Sequence, residues 1–209
     1  MYQKLDNILS AELLSKSIST DHILMQLSMF DYLDRRKKVT FAKTEYEFLY
    51  KDEPEDKRMK PWAADLVLIY KEADKKICEV IEVETINLSR FNRRIKNINA
   101  KGSRVEKIQK SYGFYHLAAD IDEVRFSVAM SSDFLDDGQV AAYLKSFRNK
   151  FRTLDKNSAV TPYKVYLARK RPEIYMREIK SNKYSSFRSF YDRIRFSDKN
   201  NMYQEFSFL

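Results

Sequence analysis

Two short stretches limit what this chain can become: Ala64-Asp65-Leu66-Val67-Leu68-Ile69 and, past a polar turn, Cys78-Glu79-Val80-Ile81-Glu82-Val83-Glu84-Thr85. Each is a brief β-branched run bounded by charged turn residues, the pattern of a buried strand. Carboxylates interrupt both runs. Side chains alternate along a strand, so Glu82 and Glu84 share one face while Ile81 and Val83 take the other. An ionised carboxylate near a core is costly unless something compensates it, and a divalent cation compensates well. Asp65, Glu82 and Glu84 are therefore the candidate catalytic cluster, with Asp65 and Glu82 as metal ligands. Glu79 has the opposite parity and is expected at the surface.

Size and composition narrow the class. With 209 residues the chain makes one domain, or one domain with an appendage. Only 3 Gly and 4 Pro argue against a loop-rich sandwich or a long linker. No run approaches the roughly 20 apolar residues that span a bilayer, so no membrane partner is expected. The first residues, MYQKLDNILSAELL, lack an apolar secretory segment, and Cys78 is the single cysteine, so the expected location is cytoplasmic. One cysteine and two histidines, His22 and His116, cannot form an ordinary zinc site, and both histidines read as structural. Any metal should be a hard cation on oxygen ligands, Mg²⁺ or Mn²⁺. Residues 1–86 hold 14 basic and 17 acidic side chains, whereas residues 87–209 hold 25 and 13. A slightly negative half followed by a strongly positive one points to a polyanionic partner.

Along the chain, Leu5–Ser17 and Asp21–Leu33 read as helices, the second with Asp21 at its N-cap. Lys38–Tyr50 reads as a strand and 51–60 as a solvated turn. Trp62–Tyr70 and Lys76–Thr85 follow as strands whose short connector implies an antiparallel hairpin. Leu88–Lys110 is an amphipathic helix with Phe91, Ile95, Ile98 and Val105 inward. Its other face carries Arg93, Lys96, Arg104, Lys107 and Lys110, bordered by Arg90 and Arg94. Glu106 is its only acid, which suits phosphate contact better than an ordinary solvated face. Val124–Met130 is the next strand, and Ser132-Asp133 precedes a helix at Gln139–Phe151 with Val140, Tyr143 and Leu144 inward. Pro162–Arg169 is the last strand. The order α-α-β-β-β-α-β-α-β describes an α/β domain over 1–170, a mixed sheet flanked by helices, with a basic aromatic extension over 171–209. Tyr184, Phe187, Phe190 and Tyr191 of that extension suit packing on the domain or on a second subunit.

On adjacent strands about 4.8 Å apart, with same-face residues about 6.5–7 Å apart, three carboxylates can converge on one cation. Here the chain resembles the PD-(D/E)XK nuclease superfamily, the group of restriction endonucleases and archaeal Holliday junction resolvases. The matching residues are Ala64-Asp65, for a Pro-Asp element, and Glu82-Val83-Glu84, for a Glu-x-Lys element. The resemblance implies a restriction endonuclease-like fold and a Mg²⁺- or Mn²⁺-dependent endonuclease that hydrolyses DNA, including branched DNA. It implies metal ligation by Asp65 and Glu82, assistance to the nucleophile by Glu84, and phosphate contacts from Arg90, Arg93, Arg94 and Lys96. Glu12 stands where many members carry a glutamate on the first helix. Cutting two strands commonly takes two sites, so a homodimer is implied. The low-glycine, Tyr/Lys-rich composition resembles that of archaeal viral proteins. The chain departs from the pattern at Glu84, where the family usually has lysine. That departure keeps open an alternative, a catalytically inactive nucleic-acid-binding protein that retains the nuclease fold.

Overall fold

The computed structural model describes residues 20–48, 62–85, 120–131, 136–152, 160–168, 174–176, 194–196 and 203–207. The expected helices Leu5–Ser17 and Leu88–Lys110, the residues Glu12, Arg90, Arg93, Arg94, Lys96 and His116, and the tail aromatics Tyr184–Tyr191 lie outside them. The described elements are α1 (Thr20–Lys37), β1 (Phe41–Phe48), β2 (Trp62–Glu72), β3 (Lys75–Thr85), β4 (Glu123–Ser131), α2 (Asp137–Arg152), β5 (Val160–Ala168), β6 (Ile174–Met176), β7 (Ile194–Phe196) and β8 (Gln204–Ser207). They form an α/β fold built on a six-stranded mixed sheet of order β1-β2-β3-β4-β5-β8.

Connection length decides strand direction. β1, β2 and β3 form an antiparallel meander, with β2 and β3 joined through Ala73-Asp74 across the Glu72↔Lys75 pair. Ala73 takes a left-handed φ of 52°, which the tight turn requires of its first residue. β3, β4 and β5 are parallel, and α2 lies in the crossover from β4 to β5. Among the described residues, β6 and β7 form a separate two-stranded antiparallel sheet. The last strand was not expected from sequence: β8 closes the sheet by pairing antiparallel with β5, so part of the 171–209 extension completes the main sheet.

A helix covers each face. Met25, Met29, Leu33, Leu66, Leu68, Ile81, Ala129 and Tyr166 are among the buried side chains between α1 and the sheet. On the other face α2 sets Val140 and Tyr143 on Val67, Val80, Phe126, Val128 and Val165. The helix boundaries have local causes. α1 runs past Leu33 to Lys37 and stops where Lys38 turns left-handed, at φ 49°. α2 starts at Asp137, two residues before the expected Gln139, because Asp136 caps it: Gln139 N–H donates to Asp136 Oδ1 at 2.8 Å, and Asp136 N–H donates back to Gln139 Oε1 at 3.1 Å.

Because both faces are covered, Glu79 is not a surface residue; it is fully buried on the α1 side. It accepts hydrogen bonds from Tyr70 and Ser127 hydroxyls at 2.6 Å and from Tyr166 at 2.7 Å. Three neutral donors on β2, β4 and β5 solvate one carboxylate on β3 and so tie four strands together. Ionic contacts continue along the sheet from Lys37 to Glu72, Arg125 and Glu123. The C-terminal strand is anchored to α1 in the same polar style. Tyr203 and Ser28 hydroxyls lie 2.6 Å apart, and Tyr32 donates to Glu205 at 2.8 Å.

Substitution Glu79→Ala strands three buried hydroxyls at once. At about 1–3 kcal/mol for each unsatisfied group, the loss should be at least about 3 kcal/mol in urea unfolding. Glu79→Gln, which keeps an acceptor, should lose clearly less.

Candidate metal centre

A strand normally keeps even residues on one face and odd residues on the other. β1 and β2 break that rule together. Ala42 and Leu66 pack in the α1-side core, whereas Tyr46 and Ala64 pack on the α2 side. All four are even-numbered, and the register pairs Thr44 with Leu66 and Tyr46 with Ala64. The change of face therefore falls on the residues between, Glu45 and Asp65. Glu45 carries it in its backbone, with a left-handed φ of 48°. A non-glycine residue in that region is strained by roughly 1–2 kcal/mol.

The reversal turns both acids toward the start of α1. There His22 Nε2 lies 3.4 Å from Asp65 Oδ1 and 3.6 Å from Glu45 Oε1. Gln26, one helical turn on, is buried; its Nε2 donates to Glu45 Oε1 at 2.7 Å and to the Asp65 carbonyl at 2.8 Å. The second Asp65 oxygen is held from β3, where Val83 N–H donates to Oδ2 at 2.6 Å. Among the described residues, His22, Glu45 and Asp65 form the group of three potential ligands whose atoms all lie within 4.8 Å of one another. Their side chains are 21, 22 and 17% exposed, so water and a solute can reach them.

Burial alone would pull the His22 pKa down, but its hydrogen bonds and charge interactions with Asp65 and Glu45 outweigh burial and hold it up at about 9. At neutral pH the ring is an imidazolium set between two carboxylates. It already occupies the electrostatic role that a cation would take. An imidazole nitrogen and two carboxylate oxygens fit Mn²⁺ well and accept Mg²⁺ or a related divalent ion, provided the ring gives up its proton.

Asp65 thus belongs to a cluster of titratable side chains, but with other partners than its position in the sequence suggests. Glu82 and Glu84 alternate with Ile81 and Val83, which pack in the α1-side core. Both glutamates are buried, and the alternation sets them on the α2 side with Cys78 and Val80. Asp65 would join them there if β2 alternated strictly, and the reversal at Glu45 and Asp65 takes it to the other face. His22, read as structural from sequence, and Glu45, not singled out, are its neighbours instead. Glu45 and Asp65 both lie between the Thr44↔Leu66 and Tyr46↔Ala64 pairs, a register that the sequence pattern alone does not give. The chain matches no family model, no curated protein and no solved structure.

The His22 linkage has a definite sign. The folded pKa is above the ordinary 6.5, so the pairing contributes fully below about pH 6.5 and is lost as pH rises through about 9. In EDTA, unfolding free energy should fall by up to about 3 kcal/mol across that window. The His22→Gln variant should show a flatter profile over the same range.

Proposed function

We propose that the protein is a metal-dependent nuclease that hydrolyses phosphodiester bonds of DNA, with its cation held by His22, Glu45 and Asp65. The observation that carries this reading is the convergence of one imidazole and two carboxylates at a solvent-reachable point of the sheet. Two further features support it. The meander β1-β2-β3 followed by parallel β4 is the strand pattern that the resemblance to PD-(D/E)XK nucleases implies. The basic second half of the chain suits a phosphate backbone.

Each residue then has a role. Asp65 keeps one oxygen on Val83 N–H and turns the other toward the site. His22 would supply Nε2 in its neutral form, and Glu45 would supply the second carboxylate. A divalent cation held by these three side chains would supply Lewis acidity, activating water and offsetting charge at phosphorus. Arg90, Arg93, Arg94 and Lys96 are proposed to hold the flanking phosphates, and a homodimer to offer one site to each strand. Asp65 is common to this ligand set and to the acidic triad, whereas Glu82 separates them.

The test is cleavage of labelled duplex and junction DNA with Mg²⁺, Mn²⁺ or EDTA. Asp65→Asn and His22→Ala should each lose more than the roughly 10–100-fold that a supporting residue costs. Glu82→Gln should retain cleavage. If instead Glu82→Gln is inactive while His22→Ala cuts normally, the cation belongs to the acidic triad. Salt-sensitive DNA binding with no metal-dependent cleavage would establish the non-catalytic alternative.

A further inference from the structure

We infer that Gln26 is the positioning residue of this cation site, the side chain that sets Glu45 against Asp65. The inference rests on the metal-site reading above and deepens it. Gln26 is 1% exposed, and its amide nitrogen reaches two different strands: the Glu45 carboxylate on β1 and the Asp65 main-chain carbonyl on β2. It follows His22 by four residues, so the two side chains share one face of α1 about 6 Å apart along the axis. One helix face thus presents a ligand and, a turn later, the group that orients the ligand opposite.

Both bonds are made where the sheet needs outside help. The β2–β3 ladder runs only to Leu66↔Ile81, so the Asp65 carbonyl takes its donor from the helix. Glu45 sits at the left-handed residue of β1, where regular pairing no longer aims its side chain. A free glutamate samples several rotamers, and ordering one on cation binding would weaken that binding. The Gln26 N–H selects one rotamer beforehand. An amide also suits the place chemically. It donates to a carboxylate without adding charge, so it neither repels a divalent ion, as lysine would, nor competes as an anionic ligand, as glutamate would.

Mn²⁺ binding to the full chain, followed by loss of the free-ion EPR signal, tests this without relying on activity. Gln26→Met should weaken Mn²⁺ binding about 10–100-fold. In a Glu45→Gln background the same change should cost less than about threefold, because its effect travels through Glu45. Ser28→Ala removes a buried hydroxyl of α1 that faces Tyr203 rather than the site, and should leave affinity within about twofold. Should Gln26→Met not fold, Gln26→Asn, too short to reach both acceptors, carries the same expectation. Affinity within about twofold of wild type for the Gln26 variant, or an equal loss in both backgrounds, overturns the positioning role alone. If Asp65→Asn binds Mn²⁺ as wild type does, the metal-site reading itself fails and takes this inference with it.

Discussion

Everything notable about the candidate site depends on one violation of strand geometry. A strand's two-residue period is a steric consequence of its pleat, and the simplest way to move a side chain to the other face is to give one residue a different backbone. Glu45 does this with φ 48°, and Asp65 opposite it changes face in step. Without that reversal, Glu45 and Asp65 would point toward α2 and His22 would meet neither. Strain of this kind persists only where the surroundings over-determine it. Here the surroundings are specific: the Gln26 amide spans the two strands, and Val83 N–H takes the Asp65 carboxylate.

The same helix that closes the site is itself held by polar contacts unusual for a core. Ser28 meets Tyr203, Tyr32 meets Glu205, and Lys37 meets Glu72. Apolar burial beneath α1 supplies affinity for the sheet, but methionines and leucines can pack in several slightly shifted ways. Directional bonds remove that freedom. They connect α1 at its start to β1 and β2, in its middle to β8, and at its end to β2. A helix pinned at three levels cannot slide by a turn, and the His22 nitrogen keeps its place between the two carboxylates. The buried Glu79 does the same for the strands beneath, through donors on β2, β4 and β5.

The elements legible in the sequence were those with a strong period and clear punctuation. The β2–β3 hairpin is one, because two apolar runs flank a turn too short for any crossover. The α/β class is another, since Gln139–Phe151 carries a helical stripe between alternating runs. What escaped had physical reasons too. β8 is four residues whose order comes from the β5 edge and α1, not from its own composition. Alternation alone places Glu79 on a wet face, whereas in the fold helices cover both faces. At the site, Asp65 was legible as a carboxylate inside a buried strand. Its partners were not, because the alternation that joined it to Glu82 and Glu84 fails at Asp65 itself, and no residue type spells a positive φ at glutamate.

That failure also explains why the site is electrostatically coherent without a cation. Two carboxylates turned to one point repel each other, and burial sharpens the repulsion. A neutral imidazole would leave the repulsion in place. Protonated, with its pKa held at about 9, His22 neutralises half of the paired negative charge while donating toward both acids. The charge still unbalanced is −1, and exchanging the proton for a divalent ion would bring it to zero. A divalent cation would therefore meet an arrangement prepared in two ways: Gln26 and the Val83 N–H already hold the carboxylates in place, and the cluster keeps a residual negative charge.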